Sequence, residues 1–352
     1  MDVRTDSEFF DAVASESGLL AEQSPRPDSA ILEYLRLFYG LKGKLTRIPT
    51  EKDETFRLQE GNATYLVKLS SADEDPQIVH FQTACMEHLE RASPELPVQR
   101  LVRSLSGEPE VHIPPLRGSY AQVLRVMHFM PGTLLANHAP TGGQLRSYGS
   151  SLALLGLALE NFDHSHDDRL LMWDLKHFHR MRPLLRFVDD KDKRSLAEGI
   201  FDQFDEKVVP LLGSLTTQVI HGDFSPFNVL VDPNAPDFVT GIIDFGDAVR
   251  TPVIFDLSVA MANQLGTEPN RPWERALNTM DGFRSLRPLP IQEWEALSAS
   301  APARLLLRAL ITQWRASQLP QRRDYLLSHS KSDWDRLASA ATAPAQIKRL
   351  IP

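Results

Sequence analysis

One stretch of the sequence decides both the fold and the chemistry: VIHGDFSPFNVLV at residues 219–231, followed by GIIDFGD at residues 241–247. Apolar residues lead into the polar centre of the first segment and away from it, which predicts that Asp223 and Asn228 lie on a loop between two short strands. The apolar run of the second segment ends at Asp244, so this carboxylate emerges at a strand end. Hairpin pairing of these strands would bring the three polar side chains to one rim.

The three side chains suit phosphoryl transfer. The transition state of that reaction needs positioning and charge neutralisation, with little covalent help from the protein. Asp223 is placed to accept or orient the proton of an acceptor hydroxyl. Asn228 and Asp244 offer the hard oxygen ligands that Mg²⁺ prefers. A metallohydrolase that uses His221 with the two aspartates is a second interpretation, but the further cluster of His, Asn and Asp that a two-metal phosphoesterase needs is not evident in the sequence.

The first segment resembles the H-G-D-x-x-x-x-N motif of aminoglycoside phosphotransferases and choline kinase relatives, and Asp244-Phe245-Gly246 resembles their metal-binding D-F-G element. The resemblance extends over about residues 31–263. It implies an α+β, bilobal protein-kinase-like fold with a small antiparallel β N-lobe and a mainly helical C-lobe. It also implies a kinase that uses ATP or GTP with Mg²⁺, in which His221 braces the loop. No A-P-E element or long activation segment follows Asp244, which disfavours a protein kinase.

The rest of the pattern indicates an arm and two lobes. Residues 1–28 are polar and end in a proline-containing segment, so we expect a peripheral N-terminal arm. Residues 29–128 should form the nucleotide-binding N-lobe, and residues 129–352 the C-lobe with the catalytic loop and the acceptor site. The predicted N-lobe strands are 45–48, 55–59, 63–69, 99–104 and 121–127 around a helix at 75–91, and the predicted C-lobe helices include 144–161, 169–188 and 195–212.

The nucleotide side is predicted from a strand of residues 65–69 that carries Lys68. This strand resembles the kinase strand that presents a lysine to the α- and β-phosphates. In kinases a glutamate from the next helix holds that lysine. Here Gln82 stands where many aminoglycoside kinases carry the glutamate, so either Gln82 holds Lys68 by a neutral hydrogen bond or Glu87 takes the role from the same helix.

Two further segments are candidates for nucleotide contacts. The loop at residues 50–55 resembles the phosphate-covering turn of relatives but contains no glycine, and the hydroxyls or amides of Thr50 and Thr55 could meet a phosphate. A polar hairpin tip is an equally good interpretation of this loop. The segment before Pro131-Gly132 resembles the hinge between lobes, and the backbone near Met127 and Phe129 could meet the base.

Within the superfamily, several short phrases resemble hydroxylysine kinases and the kinase domains fused to aminotransferases: Tyr39-Gly40-Leu41, Pro131-Gly132-Thr133-Leu134, Asn161-Phe-Asp-His164 and Met172-Trp-Asp-Leu175. This resemblance implies a small acceptor that bears both a hydroxyl and an amine. An amino alcohol or a hydroxy amino acid fits, with 5-hydroxylysine as first candidate. A site for an amino acid should also offer a cation to its carboxylate.

The candidate acceptor contacts are Trp173, Asp247 and Arg250, the last as that cation. Helix packing for Trp173 and a plain surface position for Arg250 are the competing interpretations. Two other functions stay open: an O-phosphotransferase that inactivates aminoglycosides or another antibiotic, and a nucleotide-binding pseudokinase that regulates a partner. The intact Lys68 and Asp223 speak against a pseudokinase.

Composition limits the partners and the compartment. A net charge of −8 argues against nucleic acid as the main partner, because phosphate backbones select for basic surfaces, and it suits a cationic substrate. Cys85 is the only cysteine, which fits a reducing compartment. The first residues lack the pattern of a secretory signal, and the apolar stretches 151–159 and 303–311 are too short to span a bilayer. We therefore expect a cytoplasmic protein without a membrane partner.

Overall fold

The computed structural model describes residues 4–20, 25–50, 52–116, 120–328 and 330–342. Its first part is built on an antiparallel sheet and the rest is mainly helical, with two small β units inserted. The predicted α+β kinase-like class is therefore confirmed. Within the described residues, no helix is both long enough and apolar enough to cross a membrane.

The first part carries the larger sheet. The elements are α1 (Asp6–Glu16), α2 (Asp28–Tyr34), β1 (Lys44–Ile48), β2 (Glu54–Glu60), β3 (Ala63–Leu69), α3 (Pro76–Ala92), β4 (Leu101–Val102), β5 (Val111–Ile113) and β6 (Gln122–His128). The strands follow the order β1-β2-β3-β6-β4, and β5 pairs with β6, all antiparallel. A single π-helical turn, Leu35–Tyr39, extends α2. The sheet therefore has the predicted strands and one more, β5.

Alternation of apolar residues along the strands explains how the sheet packs. Phe56 and Leu58 on β2 and Val67 and Leu69 on β3 are fully buried, in one cluster with Ile31 of α2. Because side chains alternate across a strand, residues at the intervening positions of β3, including Lys68, face the other side of the sheet. The core thus directs Lys68 away from α2.

The second part begins at β7 (Thr133–Leu134). Its other elements are α4 (Gly142–Ala158), a 3₁₀ segment (Leu175–Phe187), α5 (Lys191–Lys207), β8 (Thr217–Ile220), β9 (Val229–Val231), β10 (Val239–Ile242), β11 (Val249–Pro252), α6 (Val253–Ala262), α7 (Glu274–Leu286), α8 (Ile291–Gln318), α9 (Arg323–Ser328) and α10 (Asp333–Ala341), with short 3₁₀ turns at Leu135–Asn137, Val209–Leu211 and Pro320–Arg322. The long helix predicted at 169–188 is wrong. Asp174 caps a segment that starts only at Leu175, and Pro183 removes a backbone donor inside it.

The two small β units hold the catalytic segment. As predicted, β9 and β10 pair as an antiparallel hairpin, with Val229 opposite Ile242. The preceding strand β8 pairs instead with β11, a strand that the sequence pattern did not predict, and Ile220 lies opposite Val249. The loop between β8 and β9 is therefore fixed at its two ends by different sheets.

The N-terminal segment differs from the expected peripheral arm. Residues 6–16 form helix α1, whose Phe9 and Phe10 are only 1% exposed. Both belong to the core of the helical part, where Phe10 meets the ring of Trp314 edge-on at 5.5 Å and the guanidinium of Arg180 covers Phe9. The polar residues that indicated an arm occupy the outer face of this helix, while the aromatic pair anchors it.

Candidate active site

The loop between β8 and β9 brings Asp223 and Asn228 together. The amide nitrogen Nδ2 of Asn228 donates to Oδ2 of Asp223 at 2.8 Å and to its backbone carbonyl at 3.0 Å. The hydroxyl of Ser225 lies 3.3 Å from the same carboxylate oxygen. Because the nitrogen of the Asn228 amide is used inside the loop, its oxygen is the group left to bind a cation. Burial raises the pKa of Asp223 above its usual range.

Buried side chains hold this loop in place through hydrogen bonds. His221 is fully buried, and its Nε2 lies 3.1 Å from the carbonyl of Ile243. The backbone N–H groups of His221 and Gly222 donate to the carboxylate of Asp256 on α6, at 3.0 and 3.1 Å. Asp256 thus ties the catalytic loop to α6. His221 thus has the structural position that the family resemblance implied.

Gly222 is required by geometry. Its φ of +80° is a left-handed conformation that glycine adopts without a Cβ penalty. A Cβ placed there would lie 2.1 Å from the carbonyl oxygen of Asp247. The backbone of the D-F-G-D segment therefore packs directly against the residue before Asp223, which brings Asp247 to the catalytic loop.

Asp244 lies at the end of β10 in a strained conformation. Its φ is +65°, a value uncommon outside glycine, and its Oδ1 accepts the N–H of Gly246 at 3.1 Å. Its Oδ2 lies 3.0 Å from the ammonium of Lys68. Burial alone would raise the pKa of Asp244, but the charge and hydrogen bond of Lys68 outweigh burial and hold that pKa at about 2.

Neither predicted partner holds Lys68. Glu87 points elsewhere and pairs with Arg103 at 2.7 Å. Gln82 is buried and accepts a hydrogen bond from Arg125 at 3.1 Å, so its amide stabilises a different cation. A neutral amide is a weak partner for an ammonium, and the charged Asp244 takes its place. In the structure, therefore, neither Gln82 nor Glu87 contacts Lys68 directly, which differs from both alternatives predicted from the sequence.

Arg125 is a residue that the sequence analysis missed. It lies opposite Lys68 in the β3–β6 pairing and is only 4% exposed. Directly opposite residues of an antiparallel pair project from the same face of the sheet, so two cations lie side by side. The available signal was an arginine inside the apolar strand VLRVM, at residues 123–127, which has no reason to be buried without an anion.

The loop at residues 50–55 contributes an acid rather than a free hydroxyl. Oδ2 of Asp53 lies 4.0 Å from the Lys68 ammonium and 4.0 Å from Nη2 of Arg125. The hydroxyl of Thr50 contacts the Asp53 carbonyl at 2.5 Å and the Thr55 hydroxyl at 3.2 Å. Burial raises the pKa of Asp53. The phosphate contacts of Thr50 and Thr55 remain predictions, and Asp53 is the group that faces the cations.

The hinge segment has fewer open backbone donors than expected. Met127 is buried, whereas Phe129 is 39% exposed. The N–H of His128 donates to the Arg100 carbonyl at 3.0 Å, and the N–H of Phe129 donates to the Thr64 carbonyl at 3.1 Å. A base bound here would therefore meet backbone carbonyls and the Met127 side chain more readily than these two amides.

Arg250, the candidate cation for the acceptor carboxylate, is paired with two carboxylates of the protein. Its Nε donates to Asp167 at 2.9 Å, and a second nitrogen contacts Asp167 at 2.7 Å and also Asp163. The side chain is thus committed to two carboxylates of the segment before the 3₁₀ turn. This pairing stabilises the fold at β11.

A different arginine reaches the catalytic aspartate. Arg304 of α8 is 6% exposed, and its Nη2 lies 3.3 Å from Oδ1 of Asp223. Its guanidinium carbon lies over the ring of Trp173, 5.1 Å from the ring centroid. Trp173, a predicted acceptor contact, is thus near the site through Arg304. The sequence signal was weak: an arginine in the apolar helix segment ARLLLRALI, residues 303–311, far along the chain from the motif.

The donor set fits a divalent cation that keeps most of its ligands from phosphates and water. Among the described residues there is no group of three or more His, Cys, Asp or Glu side chains that could enclose a metal. Asp244 and the amide oxygen of Asn228 are hard oxygen donors, and a nucleotide-bound Mg²⁺ needs only one or two from the protein. The residues present therefore fit a metal that arrives with the nucleotide.

The sheet with its buried lysine, the H-G-D loop and the strand-end aspartate define a kinase-like phosphotransferase that acts on small molecules. Residues 44–289 match the model of the phosphotransferase enzyme family (APH), and the chain belongs to this family. It lies in the aminoglycoside phosphotransferase and choline kinase-like superfamily, and it is an enzyme that phosphorylates an alcohol group.

Relatives of known identity support the same class. The chain is 24% identical to the hydroxylysine kinase of Danio rerio over 319 residues, covering 86% of this chain and 88% of that protein. The hydroxylysine kinase of Mus musculus is 24% identical over 356 residues, covering 92% and 93%. Among solved structures, a microcompartment-associated aminopropanol kinase has a TM-score of 0.70 at 17% identity, covering 91% of this chain and 98% of that one. The amicoumacin kinase hAmiN, solved with AMP-PNP and Ca²⁺, has a TM-score of 0.66 at 15% identity, covering 88% and 94%.

Proposed function

We propose that this enzyme transfers the γ-phosphoryl group of ATP or GTP, with Mg²⁺, to the hydroxyl of a small amine-bearing acceptor. A hydroxy amino acid of the 5-hydroxylysine type is the first candidate. The observation that carries the proposal is the position of Asp223, which is held by Asn228 on one side and contacts Arg304 on the other. The Asp223 carboxylate is therefore placed to act both in phosphoryl transfer and in binding of the acceptor.

On the nucleotide side, Lys68 and Arg125 supply positive charge for the phosphates. Both are largely buried, and their present anionic neighbours are Asp244 and Asp53. A Mg²⁺ held by Asp244 and Asn228 would neutralise charge that develops on the β- and γ-phosphates. Lys68 would then exchange its contact with Asp244 for a phosphate oxygen.

On the acceptor side, Asp223 orients the hydroxyl and accepts its proton. Burial raises the pKa of this carboxylate, which brings its basicity closer to that of a useful proton acceptor. Asp247 is half-buried and makes no hydrogen bond or ion pair with any residue that the structure describes. A free carboxylate three residues beyond Asp244 is a suitable partner for the amine of the acceptor.

The curated relatives favour the hydroxy amino acid, since hydroxylysine kinases match over most of their length. An amino alcohol or an aminoglycoside is the competing acceptor class. The test is a panel of 5-hydroxylysine, amino alcohols and aminoglycosides, each offered with ATP and with GTP. Measurable kcat/KM for hydroxy amino acids above that for the other classes supports the proposal. Ready turnover of aminoglycosides without any hydroxy amino acid contradicts it.

A further inference from the structure

The unexplained group near the catalytic aspartate is the guanidinium of Arg304. It is 6% exposed and has one hydrogen bond in the described part of the chain, the 3.3 Å contact with Asp223. Its Nε is buried and has no hydrogen-bond partner. A guanidinium carries five N–H donors, and an unsatisfied buried donor costs free energy. The buried guanidinium of Arg304 therefore has fewer hydrogen-bond acceptors around it than it has donors.

Two other arginines of the helical part pair with carboxylates through several of their nitrogens. Arg308, one turn further along α8, donates to both carboxylate oxygens of Asp333 at 2.9 and 2.7 Å and to Asn263 at 2.6 Å. Arg250 contacts Asp163 and Asp167 through several nitrogens. These two arginines each pair with carboxylates through more than one nitrogen, whereas Arg304 has a single contact with Asp223 and no bidentate partner.

The guanidinium carbon of Arg304 lies over the ring of Trp173, 5.1 Å from the ring centroid, in a cation–π contact. A planar guanidinium binds a carboxylate through two parallel hydrogen bonds, and a buried side chain in contact with an aromatic ring loses little further freedom when it does so. Asp223, the hydroxyl-orienting group, is already in contact with Nη2. A small molecule whose hydroxyl lies at Asp223 can therefore bring a second polar group to Arg304.

We infer that Arg304, oriented by Trp173, is the binding site for the carboxylate of the acceptor. The inference rests on the proposed function and narrows it: the acceptor is a hydroxy amino acid, with its hydroxyl at Asp223, its amine at Asp247 and its carboxylate at Arg304. Amino alcohols and amino sugars lack the carboxylate and leave the buried Nε of Arg304 without a partner. Arg304 is then a specificity-determining residue.

The test compares two acceptors that differ by one group, 5-hydroxylysine and the diamino alcohol obtained by removing its carboxylate. For wild-type enzyme we expect kcat/KM to favour the amino acid. In Arg304→Gln the ratio of the two kcat/KM values should fall about 30-fold, as expected for loss of one partner of a desolvated charge pair. Arg304→Lys keeps the charge without the fork and should fall less. Arg308→Lys, one turn away, should leave the ratio unchanged.

The ratio separates recognition from support of the catalytic aspartate. If Arg304 only holds Asp223, its substitution slows both acceptors equally and the ratio stays constant, which overturns the inference while the proposed function stands. If wild-type enzyme phosphorylates the diamino alcohol or aminoglycosides but no hydroxy amino acid, both the inference and the proposed acceptor are wrong. Thermal melting of each variant identifies one that fails to fold, and Trp173→Leu, which removes the stacking ring, then gives an independent measurement of the same ratio.

Discussion

The ammonium of Lys68 lies 3.0 Å from the carboxylate of Asp244, although the two residues are 176 positions apart in the sequence. The pair joins β3 of the large sheet to the end of β10. In the proposed reaction these groups have separate ligands, a phosphate oxygen for Lys68 and a metal ion for Asp244. In the proposed reaction, binding of the nucleotide and the metal would therefore separate this ion pair.

Replacing Asp244 by Ala should abolish the effect of Mg²⁺ on nucleotide binding, because it removes the charged metal ligand. Calorimetry with AMP-PNP, with and without Mg²⁺, measures this. Wild-type enzyme should bind more tightly with the metal, and Asp244→Ala should bind equally in both conditions. Equal affinity in both conditions for the wild type would count against a metal-dependent kinase.

Asp53→Asn should tighten nucleotide binding. The Asp53 carboxylate lies 4.0 Å from both Lys68 and Arg125, where it competes with an incoming phosphate. Removing its charge should lower the KM for nucleotide by about fivefold, close to 1 kcal/mol, with kcat little changed. Asp73→Asn is the matched control, since Asp73 is exposed in the turn before α3. A higher KM in Asp53→Asn would show that Asp53 binds the nucleotide complex instead of competing with it.

Asp223→Asn should retain the fold and nucleotide binding but lose about a hundredfold or more in kcat, as expected for a positioned proton acceptor. Steady-state assays on the best acceptor measure the loss, and calorimetry checks the nucleotide. Asp237→Asn, an exposed aspartate between β9 and β10, should behave like the wild type. Near-wild-type kcat in Asp223→Asn would rule out the assignment.

Acceptor affinity should weaken as pH falls through about 6. Burial, together with the charge of Asp223, raises the pKa of Asp247 to about 6; Asp244 adds to the rise, while Arg169 and Arg304 oppose it. Above this pKa the carboxylate is charged and can pair with an amine, and below it the attraction is lost. The KM for an amine-bearing acceptor should therefore rise between pH 7 and pH 5, about tenfold per unit below the pKa at most.

An Asp247→Asn variant provides the comparison for this pH profile. It should have a high acceptor KM at both ends of the range and a flatter profile, while the KM for nucleotide stays close to that of the wild type. A wild-type profile that persists unchanged in Asp247→Asn would assign the titration to another group.

Gly222→Ala should lower both stability and activity. The substitution forces a Cβ into a backbone with φ +80° and to within 2.1 Å of the Asp247 carbonyl. The left-handed conformation alone costs about 1–2 kcal/mol, and displacement of the loop adds to this. Gly213→Ala is the control, because a Cβ there meets no atom within 4 Å. Equal melting temperatures for the two variants would contradict this account.

The sequence was sufficient for the fold class and for the contact between Asp223 and Asn228, because both depend on local order: apolar strands flank a polar loop at fixed spacing. It was also sufficient for the β9–β10 hairpin that carries Asp244 to that loop. The strand partner of β8 was not predictable in this way. Pairing between β8 and β11 joins two segments that are separated by the β9–β10 hairpin, and β11 is a short segment without a pattern of its own.

The missed site residues share one cause. Arg125 reaches Lys68 through the register of two strands that are separated by a helix, and Arg304 reaches Asp223 from a helix 81 residues further along the chain. Neither contact produces a fixed local spacing between residues that could be recognised in the sequence. What the sequence does offer is an ionisable residue inside an apolar run, and such a residue predicts an anion nearby without identifying it.

Helix α1 has a consequence for how the protein is made. Phe10 packs against Trp314, so Phe10 must wait for a partner that lies 304 residues later in the sequence. A ribosome that adds about 5–20 residues per second needs roughly 15–60 s for that distance. During this interval Phe10 lacks its Trp314 partner, while the 3₁₀ segment Leu175–Phe187, which also packs against α1, is synthesised earlier. The helical part of the protein can complete its packing only after α8 has left the ribosome. The contact between α1 and α8 is therefore a late step in folding.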